Sequence, residues 1–500
     1  MIEKLNELKT ILAEVEDLRT VSDVLGYDQQ TQMPPGGAEA RGTIMATVGR
    51  ITQETFISDK VGKLLDDLEG YAKDLDPDSD DARLIKVTRR KYDKATRVPP
   101  AMVAERAKLS IAANQDWVEA KGKSDWSIFE PHMEKLIDYM HRYAGLFEPY
   151  DHVYDPLLDD YETNMKTADV KEIFENIRPK QVELIEAIAQ QPQIDDSFLH
   201  QHFDAGKQLE VSREVITKIG YDWDRGRMDE VHHPFAQNLG YGDQRITYWM
   251  DEEFFNPHLF AGMHEAGHAT YEQGVPKDFF RTPLYGGTSY GFHESQSRMW
   301  ENLVGRSKAF WEWYYPTLQG HFSSQFGKVS LDEFYNAINK VEPSLIRVEA
   351  DEATYNLHIM LRMEIEIELM EGKTKVKDLP EIWNARFKQY LGISPPDDAQ
   401  GVLQDVHWSF FYVGYFSTYS LGNLVSVQLW EKINEDIPDL DDHIRKGEFS
   451  ILLDWLNEKV HRHGSKFEPQ ELVERITGSK IDGAPYIKYL NEKYSEIYGL

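Results

Sequence analysis

The residue types best suited to chemistry lie between Asn256 and His268, in Asn256-Pro257-His258-Leu259-Phe260-Ala261-Gly262-Met263-His264-Glu265-Ala266-Gly267-His268. His264, Glu265 and His268 form an H-E-x-x-H array. On a helix, positions four apart sit one turn above each other on one face, so two imidazoles at that spacing can bind one metal ion. Zn²⁺ suits nitrogen ligands at about 2.0–2.1 Å. Glu265, a third of a turn from His264, reaches a metal-bound water without ligating the metal. This is the arrangement for metal-assisted peptide hydrolysis with glutamate as general base. The plain alternative is a chance match, with both histidines merely solvated on a helix face.

A helix is expected here. Asn256 suits the N-cap, Pro257 the first helical position, and Gly274 followed by Pro276 a stop. Gly267 inside the helix costs about 1 kcal/mol relative to Ala, which points to close packing or a nearby ligand. A catalytic zinc site needs a third protein ligand. The third histidine of an H-E-x-x-H-x-x-G-x-x-H pattern is missing, because His268 is followed by Ala269-Thr270-Tyr271-Glu272-Gln273-Gly274. Glu294, in Phe292-His293-Glu294-Ser295-Gln296-Ser297-Arg298, is the better candidate and completes a His-His-Glu set. Glu272 and Glu301 are rivals. Glu272 suits a supporting or surface carboxylate, and Glu301, on the face of Glu294, suits orienting a ligand.

Long helical patterns surround this stretch. Leu5, Leu8, Ile11, Leu12, Val15, Leu18 and Val21 keep a three-to-four spacing over residues 1–25. Gly26-Tyr27-Asp28 and Met33-Pro34-Pro35-Gly36-Gly37 read as a break. Helical patterns continue over 38–72 and 82–148, from Thr167 to about Gln190, over 195–219, and after Gly286-Gly287 to the end. Residues 221–251 are rich in Gly, His, Pro and aromatics, with β-like character near Arg245–Trp249, so a small sheet is expected beside the metal helix. The expected class is mostly α.

The composition is that of an ordinary globular protein, with 41% hydrophobic and 28% charged residues. A net charge of −31 argues against nucleic-acid partners, since phosphate would be repelled. There is no cysteine, which excludes disulfides, a thiolate nucleophile and Cys-based zinc sites. No signal peptide and no membrane span are expected, and a cytoplasmic location fits.

Five further motifs accompany H-E-x-x-H: His233-Pro234-Phe235; Asp243-Gln244-Arg245-Ile246-Thr247; His293-Glu294-Ser295-Gln296; Ile346-Arg347-Val348-Glu349-Ala350; and Gly401-Val402-Leu403-Gln404-Asp405-Val406-His407-Trp408. In these motifs and their order the chain resembles the carboxypeptidase Taq family of metallocarboxypeptidases over nearly its full length. Tyr27-Asp28 departs from the Trp-Asp expected there. The resemblance implies one helical domain spanning 1–500, with a deep groove, the metal at its base, N-terminal helices (about 1–75) as a lid with Gly36-Gly37 in its hinge, and a catalytic region over about 221–420. It implies a homodimer that releases single C-terminal residues from peptides with broad specificity, using one Zn²⁺ per chain, for which Co²⁺ substitutes.

Physical chemistry assigns the roles. Glu265 takes the proton of the attacking water. Tyr412, Tyr415 and Tyr419 fall at helical spacing after His407. Tyr419 and Tyr415, with His407 beside them, are candidates to contact the oxyanion or leaving amine, against the alternative that they are core. Arg245 and Arg347 are candidates for the substrate carboxylate, because a guanidinium fork matches it. The alternative for each is an ion pair with Asp243, Asp351 or Asp405. His233 lines the pocket or braces its loop. An oligopeptide endopeptidase on a similar groove would need no carboxylate anchor, and a catalytically silent peptide-binding scaffold would show no chelator-sensitive hydrolysis.

Overall fold

The computed structural model describes residues 1–500 as 21 α-helices, several short 3-10 turns and one three-stranded sheet. The sheet holds β1 (Met228–Glu230), β2 (Ala236–Asn238) and β3 (Gln244–Tyr248) in the order β1-β3-β2. β1 runs parallel to β3 and β2 antiparallel, with Met228 and Ala236 both opposite Ile246. Ile246 and Thr247 are fully buried, and the sheet packs against the helix Asn256–Gly274. The small sheet therefore stands beside the metal helix as expected.

Two apolar clusters organise the chain. The larger holds 96 buried residues between Met102 and Tyr498. At its centre the helix Tyr355–Met370 is buried on nearly every side, which explains its lack of a polar face. Burying one Leu, Ile or Met of that helix stabilises by about 1.5–3 kcal/mol. The second cluster has 15 residues. It joins Leu5, Leu8, Leu12 and Val15 of the first helix to Leu64, Leu65, Leu84 and Ile85, and to Val275, Phe279 and Leu284 just after the metal helix. The N-terminal helices thus share a core of their own, which includes the helix Asp80–Arg97.

Several local expectations change. The first helix does not stop at Gly26 but runs Ile2–Thr31. Tyr27 is 3% exposed and donates its hydroxyl hydrogen to Asp229 Oδ2 at 2.5 Å. That tertiary anchor outweighs the ~1 kcal/mol cost of one helical glycine, and the Pro34-Pro35 pair supplies the real stop. Neither Gly36 nor Gly37 takes a positive φ. The helix expected over 195–219 is a 3-10 turn at Ser197–Leu199 and a helix Ala205–Lys218. Asp204 caps the latter, accepting from the Lys207 N–H. Phe255, not Asn256, is the N-cap of the metal helix, and Asn256 Oδ1 is buried without a partner. The stop at Gly274 is as expected.

Candidate active site

Three helices meet at the site through glycines. A Cβ on Gly267 would lie 2.6 Å from Ser297 Cα and 2.8 Å from the Gln296 carbonyl oxygen. The metal helix and the helix Tyr290–Arg298 therefore touch backbone to backbone there, which is the close packing that Gly267 signalled. A Cβ on Gly422, in the helix Ser417–Asp436, would lie 2.5 Å from Glu294 Cβ. The start of the Tyr290–Arg298 helix is fixed by Ser289, whose Oγ accepts from the Phe292 N–H, and by buried Glu162, which accepts from the Gly291 N–H at 2.5 Å. A carboxylate at a helix N-terminus meets the positive end of its dipole. Beyond Arg298 the helix widens into a π-helical segment, Met299–Val304, which carries Glu301. Such segments recur at functional sites.

His264, His268 and Glu294 are brought together, with one ligand atom from each lying within 4.8 Å of the others. Glu294 Oε2 is 3.7 Å from Nε2 of His264 and 3.7 Å from Nε2 of His268. Donors about 2.0–2.1 Å from one ion lie roughly 3–4 Å apart, so the set fits a cation. The remaining polar atoms are all occupied. Glu294 Oε1 accepts from Arg298 Nε at 2.8 Å. His264 Nδ1 meets Glu301 Oε2 at 2.8 Å, and Glu301 also takes Arg298 Nη1 at 3.1 Å. His268 Nδ1 meets His293 Nδ1 at 2.9 Å. What is left open is one inward-facing atom per side chain, the donor set of a divalent ion.

The electrostatics agree. Burial alone would raise the Glu301 carboxyl, but the Arg298 guanidinium and the His264 hydrogen bond outweigh it and hold it down at about 2. Burial disfavours charge on both imidazoles. At His264 the Glu294 and Glu301 carboxylates win and its pKa rises. At His268 burial, with His264 adding to it, drives the pKa well down. Glu265 is 7% exposed. Burial pushes its carboxyl up to about 7, with His264 opposing and Glu294 and Glu301 adding. No protein group hydrogen-bonds that carboxylate, and a base with a pKa near 7 suits neutral pH.

A family model described as "Carboxypeptidase Taq (M32) metallopeptidase" matches residues 7–494. The chain belongs to this family. Thermostable carboxypeptidase 1 of Thermus thermophilus is 39% identical over 494 residues, covering 96% of each chain. Carboxypeptidase 1 of Bacillus subtilis is 39% identical over 479 residues, covering 95% of each. The M32 carboxypeptidase of Deinococcus radiodurans superposes with a TM-score of 0.96 at 38% identity over the whole of both chains. The chain is thus a metallocarboxypeptidase, a peptide hydrolase, on a mostly helical single domain. No helix is long and apolar enough to cross a membrane.

In this M32 carboxypeptidase the other candidates divide. Only Tyr419 lies on the helix Ser417–Asp436. Tyr412 and Tyr415 precede it in a loop that turns at Gly414, φ +93°. Shared helical spacing is therefore not what aligns the three. Their rings converge anyway, with centroids 5.8 Å apart for Tyr412–Tyr415 and 5.3 Å for Tyr415–Tyr419. Tyr161 and Tyr290, which no sequence motif singles out, join Tyr415 at 5.2 and 5.5 Å. His407 Nε2 is 3.3 Å from the Tyr419 hydroxyl. Its pKa is pushed down to about 3 by burial, with Asp405 opposing and Arg347 and Arg362 adding, so the ring is neutral at working pH. His233 is exposed.

Both arginines are in ion pairs. Arg245 Nε and Nη2 donate to the two Asp243 oxygens, each at 2.8 Å, and its guanidinium lies over the Tyr27 ring. Nη1 has no protein partner. Arg347 is 5% exposed. It donates from Nε and Nη2 to Asp405 Oδ1 and from Nη1 to the Tyr355 hydroxyl, and packs under Tyr419 at 4.9 Å. Three of its five N–H groups are thereby used. Arg298, absent from the candidates above, steadies both Glu294 and Glu301, and its i+4 spacing from Glu294 is the sequence signal for it.

Proposed function

We propose that the chain releases single C-terminal residues from peptides, with broad side-chain preference, using one Zn²⁺ held by His264, His268 and Glu294. Co²⁺ serves as a substitute, and the working unit is a cytoplasmic homodimer. The observation that carries this reading is the convergence of three inward-facing ligand atoms whose companion atoms are all occupied. When bound, the ion polarises the scissile carbonyl and acidifies water. Glu265, free of protein partners, accepts the proton of the attacking water and passes it to the leaving amine. Tyr415 and Tyr419 offer hydroxyl hydrogens to the developing oxyanion. Burial, with Glu294 adding to it, raises both phenols above their ordinary range, so both stay protonated. Neutral His407 orients Tyr419.

The substrate carboxylate is bound by Arg245, through its free Nη1, or by the unused N–H groups of Arg347, with His233 lining the pocket. The N-terminal helices close over this groove as a lid. Broad preference fits a site whose fixed contacts address the carboxylate and the scissile bond. The test is a peptide offered with a free or an amidated C-terminus. Amidation removes the charge these arginines recognise, so cleavage should fall by at least about tenfold, the equivalent of ~1.4 kcal/mol. Equal cleavage of both forms favours an endopeptidase.

A further inference from the structure

The two ligand histidines are supported differently. His264 is steadied directly by a carboxylate, Glu301 Oε2 at 2.8 Å. His268 is steadied by another imidazole. Its Nδ1 lies 2.9 Å from Nδ1 of His293, and His293 Nε2 lies 2.5 Å from Glu272 Oε1. A nitrogen–nitrogen hydrogen bond needs one donor and one acceptor, and this one has a single direction compatible with metal binding. For His268 Nε2 to present a lone pair, its hydrogen must sit on Nδ1, which donates to His293 Nδ1. His293 must then carry its hydrogen on Nε2, facing the Glu272 carboxylate.

Glu272 is itself fixed from two further sides. Oε1 also accepts the Gly287 N–H at 3.0 Å, and Oε2 accepts Asn238 Nδ2 at 2.7 Å. Asn238 lies in β2, and its Oδ1 is committed to the Gly240 N–H and Gln244 Nε2, so the amide orientation is set. The cradle is tight. A Cβ on Gly287 would fall 2.5 Å from His293 Cδ2 and 2.8 Å from Tyr271. Both nitrogens of His293 are taken, so it is not itself a ligand.

We infer that His293 and Glu272 are positioning residues of the metal centre, forming a one-way hydrogen-bond chain from β2 to His268 that fixes the tautomer and orientation in which His268 binds the ion. The inference rests on the metal-site reading above. The chain makes the sheet a support of the metal, and it explains why the residue before Glu294 is a histidine: it lets a carboxylate one turn beyond His268 on the same helix reach that ligand by way of a second helix.

The test compares Zn²⁺ affinity of the apo forms of wild type, H293L, H293N and E272Q, by competition with a chelating dye, with apo melting temperature as the folding control. Removing the partner of a ligand histidine typically costs 10–100-fold in metal affinity. H293L should bind about 10–100-fold more weakly. H293N, whose Oδ1 can still accept from His268, should recover part of that loss, and the Co²⁺ absorption spectrum should shift in H293L. E272Q places an amide donor against either the Asn238 donor or the donors of His293 and Gly287, and should weaken binding by about tenfold even if H293L does not fold. Wild-type affinity in folded H293L or in E272Q, or no recovery in H293N, overturns the inference. A wild type that binds no Zn²⁺ overturns the metal-site reading instead.

Discussion

Glu265 and Glu294 lie in one buried site, yet their environments separate their work. Glu294 has one oxygen held by Arg298 and the other facing both ligand imidazoles. Glu265 accepts no hydrogen bond from the protein and is pushed up to about 7 by burial, which outweighs the opposing charges of His264 and Arg298. Those environments suit Glu294 to the ligand role and Glu265 to the base role proposed above. E265Q should lower turnover by about 10²–10⁴-fold while metal content by atomic absorption stays near that of wild type. E294A should instead lose the metal. Persistent turnover in E265Q would remove it as the base. At this scale the sequence was most informative. H-E-x-x-H spacing puts His264 and His268 on one helix face with Glu265 beside them, because helical geometry is local. The fates of Arg245 and Arg347 were not legible, since which aspartate an arginine meets is settled by tertiary packing. Nor was the link from His268 through His293 to Glu272, which needs two helices and a loop in register.

Among the elements, the site depends on how closely two helices approach. Gly267 has no room for a side chain against the Ser297 backbone. G267A should part the ligand helices and cost about 1–3 kcal/mol, as overpacking does, against the ~1 kcal/mol gain expected of the same change in an open helix. Chemical denaturation of the apo-protein measures the sign, and a stabilised variant would contradict the close-contact argument. The glycine was legible in the sequence as an anomaly. The reverse holds for the tyrosines after His407. Their spacing suggested a helix, but the chain turns at Gly414, where a Cβ would lie 2.5 Å from the Leu157 carbonyl, and the rings meet through a loop. The loop is braced by Glu366, which accepts from Tyr154, Trp408 and the Gly414 N–H, long-range contacts invisible to any periodicity. Gly26 misled in the same way, because Tyr27 finds Asp229 across 202 positions of chain.

At the scale of the whole molecule, a main core of 96 buried residues and an N-terminal core of 15 divide the chain unequally. Regions with fewer buried apolar contacts open at lower free energy. Amide hydrogen exchange should therefore be faster across Ile2–Arg97 than across Tyr355–Met370, and uniform protection would contradict a lid that opens on its own. The mostly helical class and the small sheet were legible from periodicity and composition, whereas the separate N-terminal core was not, since it forms from four helices and the Val275–Leu284 segment together. The central claim is that a metal-dependent site removes residues one at a time from a free C-terminus. Mass spectrometry of a peptide incubated with the protein, with and without a chelator, tests it most directly. The account predicts a ladder of successive single-residue losses from the C-terminus that disappears when the chelator is present. Internal fragments, or a ladder that survives chelation, would contradict it.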